Sequence, residues 1–248
     1  MLQIMVRDGK FDPYFARTAI GEACGLQQTA MPGIDTSAPV VRTPDREVHV
    51  LMAMKSPRIV LLGNVLGDDE CDELLDYCAA RLHRSPVVSE VDGKTEVHAY
   101  RTSRGAMFDR GESALIERIE TRLAALTTWP IECGEGLQVL RYEHGDEYRP
   151  HYDWFNPDLP GPRKHLERGG QRVATIITYL SDVEAGGATS FPNIGLDIQP
   201  RKGCAIFFAN TDTWGVPDQQ TLHAGEPVVK GVKYIATKWL REREYEYV

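Results

Sequence analysis

Short β-type runs separated by turn sequences occupy the second half of the chain, and they constrain its fold more than any other feature. The runs lie at 173–180, 205–208 and 231–240. Turn sequences such as Glu184-Ala185-Gly186-Gly187 lie between them. Short strands joined by short turns are typical of antiparallel sheets that pack face to face or close on themselves. The pattern therefore predicts a β-sandwich or jelly roll, with a site in its mouth.

The aromatic-rich stretch at 137–155 carries the strongest metal-binding signal. It contains His151 and Asp153, and His223 follows later in the sequence Thr-Leu-His-Ala-Gly. Two histidines and one carboxylate form the facial triad that binds Fe(II) and leaves coordination positions open. Because side chains alternate along a strand, His151 and Asp153 would point to one side while Tyr152 points away. We therefore predict a metal site with two ligands on one strand and the third on another.

The pattern His-x-Asp/Glu is short, and it occurs at two other places in this chain. His144-Gly145-Asp146 has turn character because the glycine interrupts strand alternation. His165-Leu166-Glu167 lies in the sequence GPRKHLERGG, which predicts a polar loop. Only His151 lies in an aromatic run that favours extended structure, so we prefer it as the ligand.

Charge and composition limit the classes of function. The net charge of −8 argues against nucleic acid as the main partner, because phosphate contacts require a basic surface. No apolar run approaches the ~20 residues that cross a membrane, and the first residues lack the features of a signal peptide. The five cysteines show neither a disulfide framework nor zinc-binding spacing. These features predict a cytoplasmic protein without a membrane or nucleic-acid partner.

The chain is predicted to have a short N-terminal appendage and one large domain. Residues 1–46 begin with one or two short helices and continue into a linker, rich in Pro, Thr and Ser, at 27–46. Packing on the core and homodimer formation are both open as roles for this appendage. The domain is predicted to occupy residues 47–248.

Two helices are predicted to flank the β core. The first begins at Asp68 or Asp69, either of which could cap it, and presents Cys71 and Cys78 on an apolar face. Both cysteines are expected to be small core residues rather than reactive thiols. The second helix is expected at 112–126, where apolar residues recur with helical spacing. The predicted class is therefore mainly β with flanking helices (α+β).

Several longer motifs occur in a fixed order along the chain. They are RYEHGDEYRPHYDWF, GGQRVATIITYLSDVEAGGATSFP, KGCAIFF and TLHAGEPVVKGVKYIATKW. Together they resemble the catalytic domain of prolyl 4-hydroxylases, members of the 2-oxoglutarate- and Fe(II)-dependent oxygenase superfamily. The resemblance extends from about Pro57 to Leu240, with the catalytic motifs at 137–241, and implies a double-stranded β-helix core.

The resemblance also implies an activity. A prolyl 4-hydroxylase would bind a proline-containing peptide and convert peptidyl proline to 4-hydroxyproline, with release of succinate and CO2. It would use Fe(II), 2-oxoglutarate and O2, with ascorbate as the reductant. The residues implied as iron ligands are His151, Asp153 and His223. Lys233 stands where the family places the lysine that binds the far carboxylate of 2-oxoglutarate, whereas Lys230 and Lys238 do not match and are expected at the surface.

Further side chains are candidates for the 2-oxoglutarate pocket. Tyr142 and Tyr179 resemble family tyrosines that line this pocket by hydrogen bonding, and aromatic packing in the core is the alternative. Thr221 lies two residues before His223 and would share its strand face. Trp154, like Tyr152, falls on the face opposite the ligands and is expected to pack.

Three residues match the family's peptide groove, namely Arg101, Arg172 and Trp239. An arginine offers five donors in a rigid fork and suits the carbonyls of an extended peptide, and a tryptophan can stack on a proline ring. The chain departs from the pattern at Arg241, where some peptide-hydroxylating relatives carry a histidine. The identity of the accepted peptide therefore stays open.

Alternative functions remain at this point. The same oxygenase chemistry could act on another residue or on a small molecule. A DNA-demethylating relative is disfavoured by the acidic composition and by the lysine, since those members hold 2-oxoglutarate with arginine. A cupin-like metal-binding sensor would bind a metal without forming succinate. Residues 82–104 and 156–170 are polar segments beside the predicted site and are expected to act as lids.

Overall fold

The computed structural model describes residues 29–85, 87–88, 94–96 and 100–247, so the helices predicted within residues 1–25 lie outside the described residues. The strands are β1 (Val40–Arg42), β2 (Glu47–Met54), β3 (Ile59–Gly63), β4 (His83–Arg84), β5 (Val87–Val88), β6 (Thr95–Glu96), β7 (Arg104–Phe108), β8 (Leu137–Tyr142), β9 (Tyr148–His151), β10 (Arg172–Tyr179), β11 (Ala185–Gly186), β12 (Thr189–Phe191), β13 (Leu196–Ile198), β14 (Ala205–Ala209), β15 (His223–Gly225), β16 (Val228–Lys230) and β17 (Lys233–Arg241). The α-helices are α1 (Asp68–Cys78), α2 (Ala114–Thr127) and α3 (Pro160–Leu166), and short 3-10 helices lie at Ala79–Arg81, Ile131–Cys133 and Gln219–Thr221.

Two antiparallel sheets form the framework. The larger sheet has nine strands in the order β1-β2-β3-β14-β10-β17-β8-β7-β4, and the smaller has four in the order β13-β12-β15-β9. β5 pairs with β6, and β11 pairs with β16, in separate two-stranded ribbons. The mainly β class with flanking helices that the sequence predicts is confirmed.

Two clusters of buried apolar side chains hold the sheets and helices together. One lies between the two sheets and includes Ile177 from the larger sheet and Phe191 from the smaller. The other joins the larger sheet to α1 and α2 and includes Ile176 and Leu123. Because neighbouring residues of a strand point to opposite faces, Ile176 faces the helices and Ile177 faces the smaller sheet. The larger sheet is thus covered on both faces, as its long apolar strands require.

The two long helices agree with the sequence pattern. α2 begins after Ser113, whose hydroxyl accepts a hydrogen bond from the backbone N–H of Ile116 at 3.3 Å. In α1, Cys71 and Cys78 are fully buried, as expected, and burial raises the pKa of the Cys71 thiol to about 11. None of the helices in the described ranges is long and apolar enough to span a membrane.

Three local predictions were wrong. Residues 40–42, predicted to lie in a linker, form strand β1 and pair with β2. The segment around His165, predicted to be a loop, contains helix α3, which begins at Pro160. The N-cap of α1 is Gly67 rather than one of the aspartates after it, and Glu70 accepts a hydrogen bond from the Gly67 N–H at 3.0 Å.

Candidate metal centre and its cavity

The predicted ligands come together between β9 and β15. His151 is the last residue of β9, His223 is the first residue of β15, and these two residues are paired in the smaller sheet. Asp153 lies two residues beyond His151. One ligand atom from each of the three side chains lies within 4.8 Å of the others. The three residues therefore form a cluster that could hold a metal ion.

Asp153 reaches this cluster in a way that strand alternation did not predict. β9 ends at His151, and Asp153 lies in a bend after the strand, with 7% of its surface exposed. The other two candidate motifs stay apart from the cluster. His144 is exposed and its Nδ1 lies 2.9 Å from the carbonyl oxygen of Val229, and His165 stacks on Phe155 with ring centroids 5.1 Å apart.

Backbone carbonyls orient both imidazoles. Nδ1 of His151 lies 2.8 Å from the carbonyl oxygen of Arg149, and Nδ1 of His223 lies 3.0 Å from that of Thr221. When Nδ1 donates to a carbonyl, Nε2 keeps its lone pair for a metal. The two Nε2 atoms face Asp153, at 3.8 Å from Oδ1 for His151 and 3.6 Å from Oδ2 for His223.

Thr221 contributes through its backbone and not through its side chain. It lies in the 3-10 helix Gln219–Thr221 rather than on the strand of His223, and its hydroxyl donates to the carbonyl of Asp218 at 2.7 Å. The prediction that its side chain shares the strand face of His223 was therefore wrong. Its carbonyl, however, orients the histidine.

The protonation states in the cluster suit a divalent cation. Burial, reinforced by the nearby His223, lowers the pKa of His151 to about 3, so its imidazole is neutral near pH 7. Burial acts to raise the pKa of Asp153, but His223, His151 and Arg172 outweigh it and lower this pKa. Neutral imidazoles and an ionised carboxylate are the donor set that Fe(II) takes in a facial triad, so the residues present fit the metal.

A cavity extends from this cluster between the two sheets. Its volume is about 410 Å³, including the open mouth. It is lined by Arg101, Leu140, Tyr142, Tyr148, His151, Asp153, Ile177, Thr189, His223, Ala224, Gly225, Lys233, Ile235, Thr237 and Trp239. Leu140, Ile177 and Ile235 give it an apolar wall, whereas its charged groups are few. Such a lining suits a small ligand with charged ends.

Lys233 is the buried cation of this cavity. It is the first residue of β17, lies opposite Tyr142 of the neighbouring strand β8, and is 1% exposed. Burial lowers the pKa of Lys233 to about 7, although Glu226 acts in the opposite direction. In the described part of the chain, no ion pair joins it to a carboxylate. A buried ammonium group without an ion-pair partner is costly unless an anionic ligand compensates it. Lys238, by contrast, was expected at the surface but is buried and paired with Glu120.

The two predicted tyrosines differ in position. Tyr142 lines the cavity, and the Lys233 Nζ lies 5.4 Å from the centroid of its ring. Tyr179 lies behind Thr189, to whose Oγ1 its hydroxyl donates at 2.9 Å, and Thr189 is the residue that lines the cavity. Tyr179 thus lies one residue away from the described cavity lining, and its role in the 2-oxoglutarate pocket stays a prediction. Burial raises the pKa of both tyrosines, so both hydroxyls keep their protons.

The three predicted groove residues lie at or beside the cavity. Arg101 lines it, donates to Oε1 of Gln138 at 2.7 Å, and lies 4.8 Å from the centroid of the Tyr148 ring. Trp239 lines it as well, and the guanidinium carbon of Arg172 lies 3.9 Å from a Trp239 ring centroid. Arg172 therefore occupies a face of the ring that was expected to stack on a substrate proline.

The buried carboxylate of Glu135 links Arg172 to Arg241. Its carboxylate accepts hydrogen bonds from Arg172 Nε at 2.6 Å and Nη2 at 2.8 Å, and from Arg241 Nη1 at 2.9 Å. Arg241 also donates to the carbonyls of Gly170 and His165. Arg241, which departs from the family pattern, is thus buried and bonded to groups of the protein itself.

Sequence reasoning missed the residues that support the ligands. Thr175 donates to Asp153, Asn210 donates to Thr175, and Glu135 holds Arg172. The only sequence signal for Thr175 is a polar residue within an apolar β run, and for Asn210 a polar residue directly after one. That signal is weak, because threonine is common in strands.

Comparison with known proteins identifies the family. Residues 137–241 match the model of the 2OG-Fe(II) oxygenase superfamily. The chain is 38% identical over 209 residues to a probable prolyl 4-hydroxylase 6 of Arabidopsis thaliana, with 77% of this chain and 71% of the relative covered. It is 33% identical over 239 residues to prolyl 4-hydroxylase 2 of the same plant, with 87% and 78% covered. The chain belongs to the prolyl 4-hydroxylase family.

The structural comparison agrees. The viral collagen prolyl hydroxylase of Paramecium Bursaria Chlorella virus-1, solved as a 2OG complex, superimposes with a TM-score of 0.58 at 30% identity. The match covers 74% of this chain and 95% of the viral one. Prolyl hydroxylases have a double-stranded β-helix core, so the predicted fold is confirmed. As in other 2OG-Fe(II) oxygenases, the cofactors are Fe(II) and 2-oxoglutarate.

Proposed function

We propose that this prolyl 4-hydroxylase family member hydroxylates peptidyl proline to 4-hydroxyproline, with release of succinate and CO2. The observation that carries the proposal is a single cavity with three metal ligands and a buried lysine that lacks an ion-pair partner in the described part of the chain. The related proteins named above are prolyl hydroxylases, which supports proline as the target.

His151, Asp153 and His223 would hold the iron. Bound Fe(II), with 2-oxoglutarate and O2, supplies the oxidative decarboxylation and the oxygen transfer to proline. The protein orients the two imidazoles through the carbonyls of Arg149 and Thr221, and burial keeps His151 neutral by lowering its pKa. It thereby presents the ligands in one arrangement before the metal binds.

Lys233 would bind the carboxylate of 2-oxoglutarate that lies far from the iron. Tyr142 lies beside it and offers a hydroxyl that keeps its proton, because burial raises its pKa. The apolar wall formed by Leu140, Ile177 and Ile235 would exclude water from the part of the cavity between Lys233 and the metal ligands. These roles explain why a lysine is buried here without a carboxylate partner.

The substrate would lie across the cavity mouth as an extended, proline-containing peptide. Arg101 and the stacked pair Arg172–Trp239 offer guanidinium donors and an aromatic edge in this region. Arginine forks suit peptide carbonyls, which polyproline segments leave free of internal hydrogen bonds. Because Arg172 covers a face of Trp239, we propose that the two act together as one contact.

A succinate assay tests this proposal. Protein would be incubated with Fe(II), 2-oxoglutarate, ascorbate, air and a panel of proline-containing peptides, and mass spectrometry would follow the peptides while succinate is measured. Loss of a ligand should abolish catalysis, so we expect His151→Ala and Asp153→Ala to form succinate at least 100-fold more slowly than the unsubstituted protein. His144→Ala is the matched control, because His144 carries the same motif outside the cluster, and it should stay active.

The outcomes separate the alternatives. Peptide-dependent succinate formation that only the ligand substitutions abolish would support prolyl hydroxylation. Succinate without peptide modification would keep the oxygenase chemistry and point to another residue or a small molecule. A folded, iron-loaded protein that forms no succinate, or an inactive His144→Ala, would contradict the assigned site.

Three further expectations belong to this proposal. Ascorbate would serve as the reductant, which predicts that its omission shortens the linear phase of the assay. The absence of disulfide spacing in the sequence supports a cytoplasmic location. Homodimer formation through the predicted N-terminal appendage stays open beside its packing on the core, and sedimentation of the chain with and without residues 1–28, a deletion that leaves β1 in place, would test it.

A further inference from the structure

Asp153 is the one proposed metal ligand that does not lie in a strand. His151 and His223 lie in paired strands, whereas Asp153 lies in a bend after β9. Its side chain nevertheless takes a defined place. Oδ2 accepts a hydrogen bond from the Thr175 hydroxyl at 2.7 Å, a distance that fits a hydroxyl donating to an ionised carboxylate.

Thr175 and Asn210 form a chain of hydrogen bonds that ends at this carboxylate. Thr175 lies in β10 and Asn210 directly follows β14, its neighbour in the larger sheet. Nδ2 of Asn210 donates to Oγ1 of Thr175 at 2.9 Å. The backbone of Asn210 is fixed as well, because its N–H donates to the carbonyl of Val173 at 2.8 Å. Both Thr175 and Asn210 are fully buried.

The direction of this chain follows from donor chemistry. A hydroxyl has one proton, and an ionised carboxylate can only accept, so the Thr175 proton must point to Asp153. The Thr175 oxygen can then only accept from its other neighbour, which requires the NH2 group of Asn210. If the amide were reversed, its oxygen would compete with Asp153 for the same proton.

The Asn210 side chain is held through its NH2 group. Its Oδ1 is buried and has no hydrogen-bond partner in the described part of the chain. A buried acceptor left unpaired costs about 1–3 kcal/mol. Asn210 is buried in spite of this cost, and its NH2 group is connected to the Asp153 carboxylate through the Thr175 hydroxyl.

We propose that Thr175 and Asn210 are positioning residues for the metal. They hold the plane of the Asp153 carboxylate in the orientation that the two Nε2 atoms require, and so raise the affinity of the site for a divalent cation. This inference rests on the proposed iron site. Partners of metal ligands typically contribute 10–100-fold to affinity, which sets the size of the expected effect.

The test measures metal affinity rather than turnover. Mn(II) would be titrated into metal-free protein, with the EPR signal of free Mn(II) as the readout. We expect Thr175→Val, which keeps the shape and removes the donor, to weaken binding 10–100-fold. Thr175→Ser keeps the hydroxyl and should bind within about threefold of the unsubstituted protein. Thr178→Val is the matched control, because Thr178 is also buried in β10 but points to the opposite face.

A second substitution separates positioning from general stability. Asn210→Ala should weaken Mn(II) binding less than Thr175→Val, and the double variant should bind like Thr175→Val alone, since both act through one hydroxyl. A merely structural role would instead lower the melting temperature of the metal-free protein and leave the Mn(II) affinity unchanged.

The outcomes also distinguish this inference from the proposed function. If Thr175→Val is folded and binds Mn(II) as tightly as the unsubstituted protein, the positioning role is overturned while the iron site stands. If Thr175→Val does not fold, equal Mn(II) affinity in Asn210→Ala overturns the role. If the unsubstituted protein binds no Mn(II), both the site and the inference fail.

Discussion

Lys233 carries a charge whose cost depends on pH. Burial lowers its pKa to about 7, while Glu226 opposes the shift. In the free protein, the side chain is therefore charged below pH 7 and increasingly neutral above it. A bound carboxylate favours the ammonium form and raises the pKa, so 2-oxoglutarate binding above pH 7 must take up a proton.

We therefore expect 2-oxoglutarate affinity to fall as pH rises above 7, by up to about tenfold per pH unit. Calorimetry on Mn(II)-loaded protein without O2, between pH 6 and pH 9, would measure it, and two buffers of different ionisation enthalpy would count the protons taken up. Lys233→Arg stays charged over this range and should flatten the dependence. If 2-oxoglutarate affinity fell equally with pH in the unsubstituted protein and in Lys233→Arg, a carboxylate contact at Lys233 would be contradicted.

Glu135 is expected to act on the peptide through Arg172. In Glu135→Gln, the carboxylate that holds the guanidinium group is lost, so Arg172 should lose its fixed position over Trp239. We expect the KM for peptide to rise about tenfold, a cost of about 1.4 kcal/mol, with the KM for 2-oxoglutarate unchanged. Glu143→Gln is the control, because Glu143 pairs with Arg141 at an exposed position. A parallel rise in both KM values would indicate general damage to the site.

Single residues differ in how far the sequence could predict them. His151, Asp153 and His223 were predictable because two histidines and a carboxylate in β-type surroundings are an unusual combination. Thr175 and Asn210 were not, since their role depends on two neighbouring strands in contact. Arg241 was flagged as a departure, but its pairing with Glu135 inside the protein required the fold to be known.

At the scale of elements, a buried ionic network joins α1, α2 and the turn between β1 and β2. Glu70 of α1 accepts from Arg122 of α2 at 2.7 and 2.8 Å and from Arg46 of the turn at 3.0 Å. Burial acts to raise the pKa of Glu70, but Arg122, the Gly67 N–H and Arg118 outweigh it and lower this pKa to about 2. The network therefore stabilises the fold only while Glu70 is ionised.

This network predicts an acid-sensitive contribution to stability. A carboxyl group whose pKa is lower in the folded protein stabilises it above its unfolded pKa, and this stabilisation is lost as pH falls toward 2. The shift from 4.5 to about 2 corresponds to roughly 3 kcal/mol. We expect urea unfolding at several pH values to show this loss in the unsubstituted protein.

Two variants control this measurement. Glu70→Gln should lack the acid-dependent loss, whereas Glu117→Gln, which changes an exposed carboxylate of α2, should retain it. If the stability of Glu70→Gln and of the unsubstituted protein fell in parallel with decreasing pH, the network would not be the source of the acid sensitivity.

Helix α3 is tied to the same end of the sheet as the groove residues. Arg241 donates to the carbonyls of His165 and Gly170, and Phe155 stacks on His165. The predicted lid at 156–170 thus contains a helix attached to β17. Sequence patterns miss such a helix because Pro160, Gly161 and Pro162 form its start, and because only seven residues form it.

For the whole molecule, the sequence predicted the most apolar strands but missed the eight-residue strand β2, along with the shortest strands. β10, β14 and β17 are apolar runs that two packed layers bury, so hydrophobicity alone indicates them. Strands of two or three residues, such as β4, β11 and β13, carry no such pattern, and only their pairing defines them. The order of the strands likewise depends on long-range pairing that no local pattern encodes.

The most direct test of the central claim is isotopic. A proline-containing peptide would be incubated with the protein, Fe(II), 2-oxoglutarate and ascorbate under 18O2, and the product analysed by tandem mass spectrometry. A dioxygenase of this family should place one labelled oxygen on a proline and the other in succinate, and Asp153→Ala should do neither. Labelled succinate with unmodified proline would contradict prolyl hydroxylation, and an absence of label from both products would contradict the oxygenase site itself.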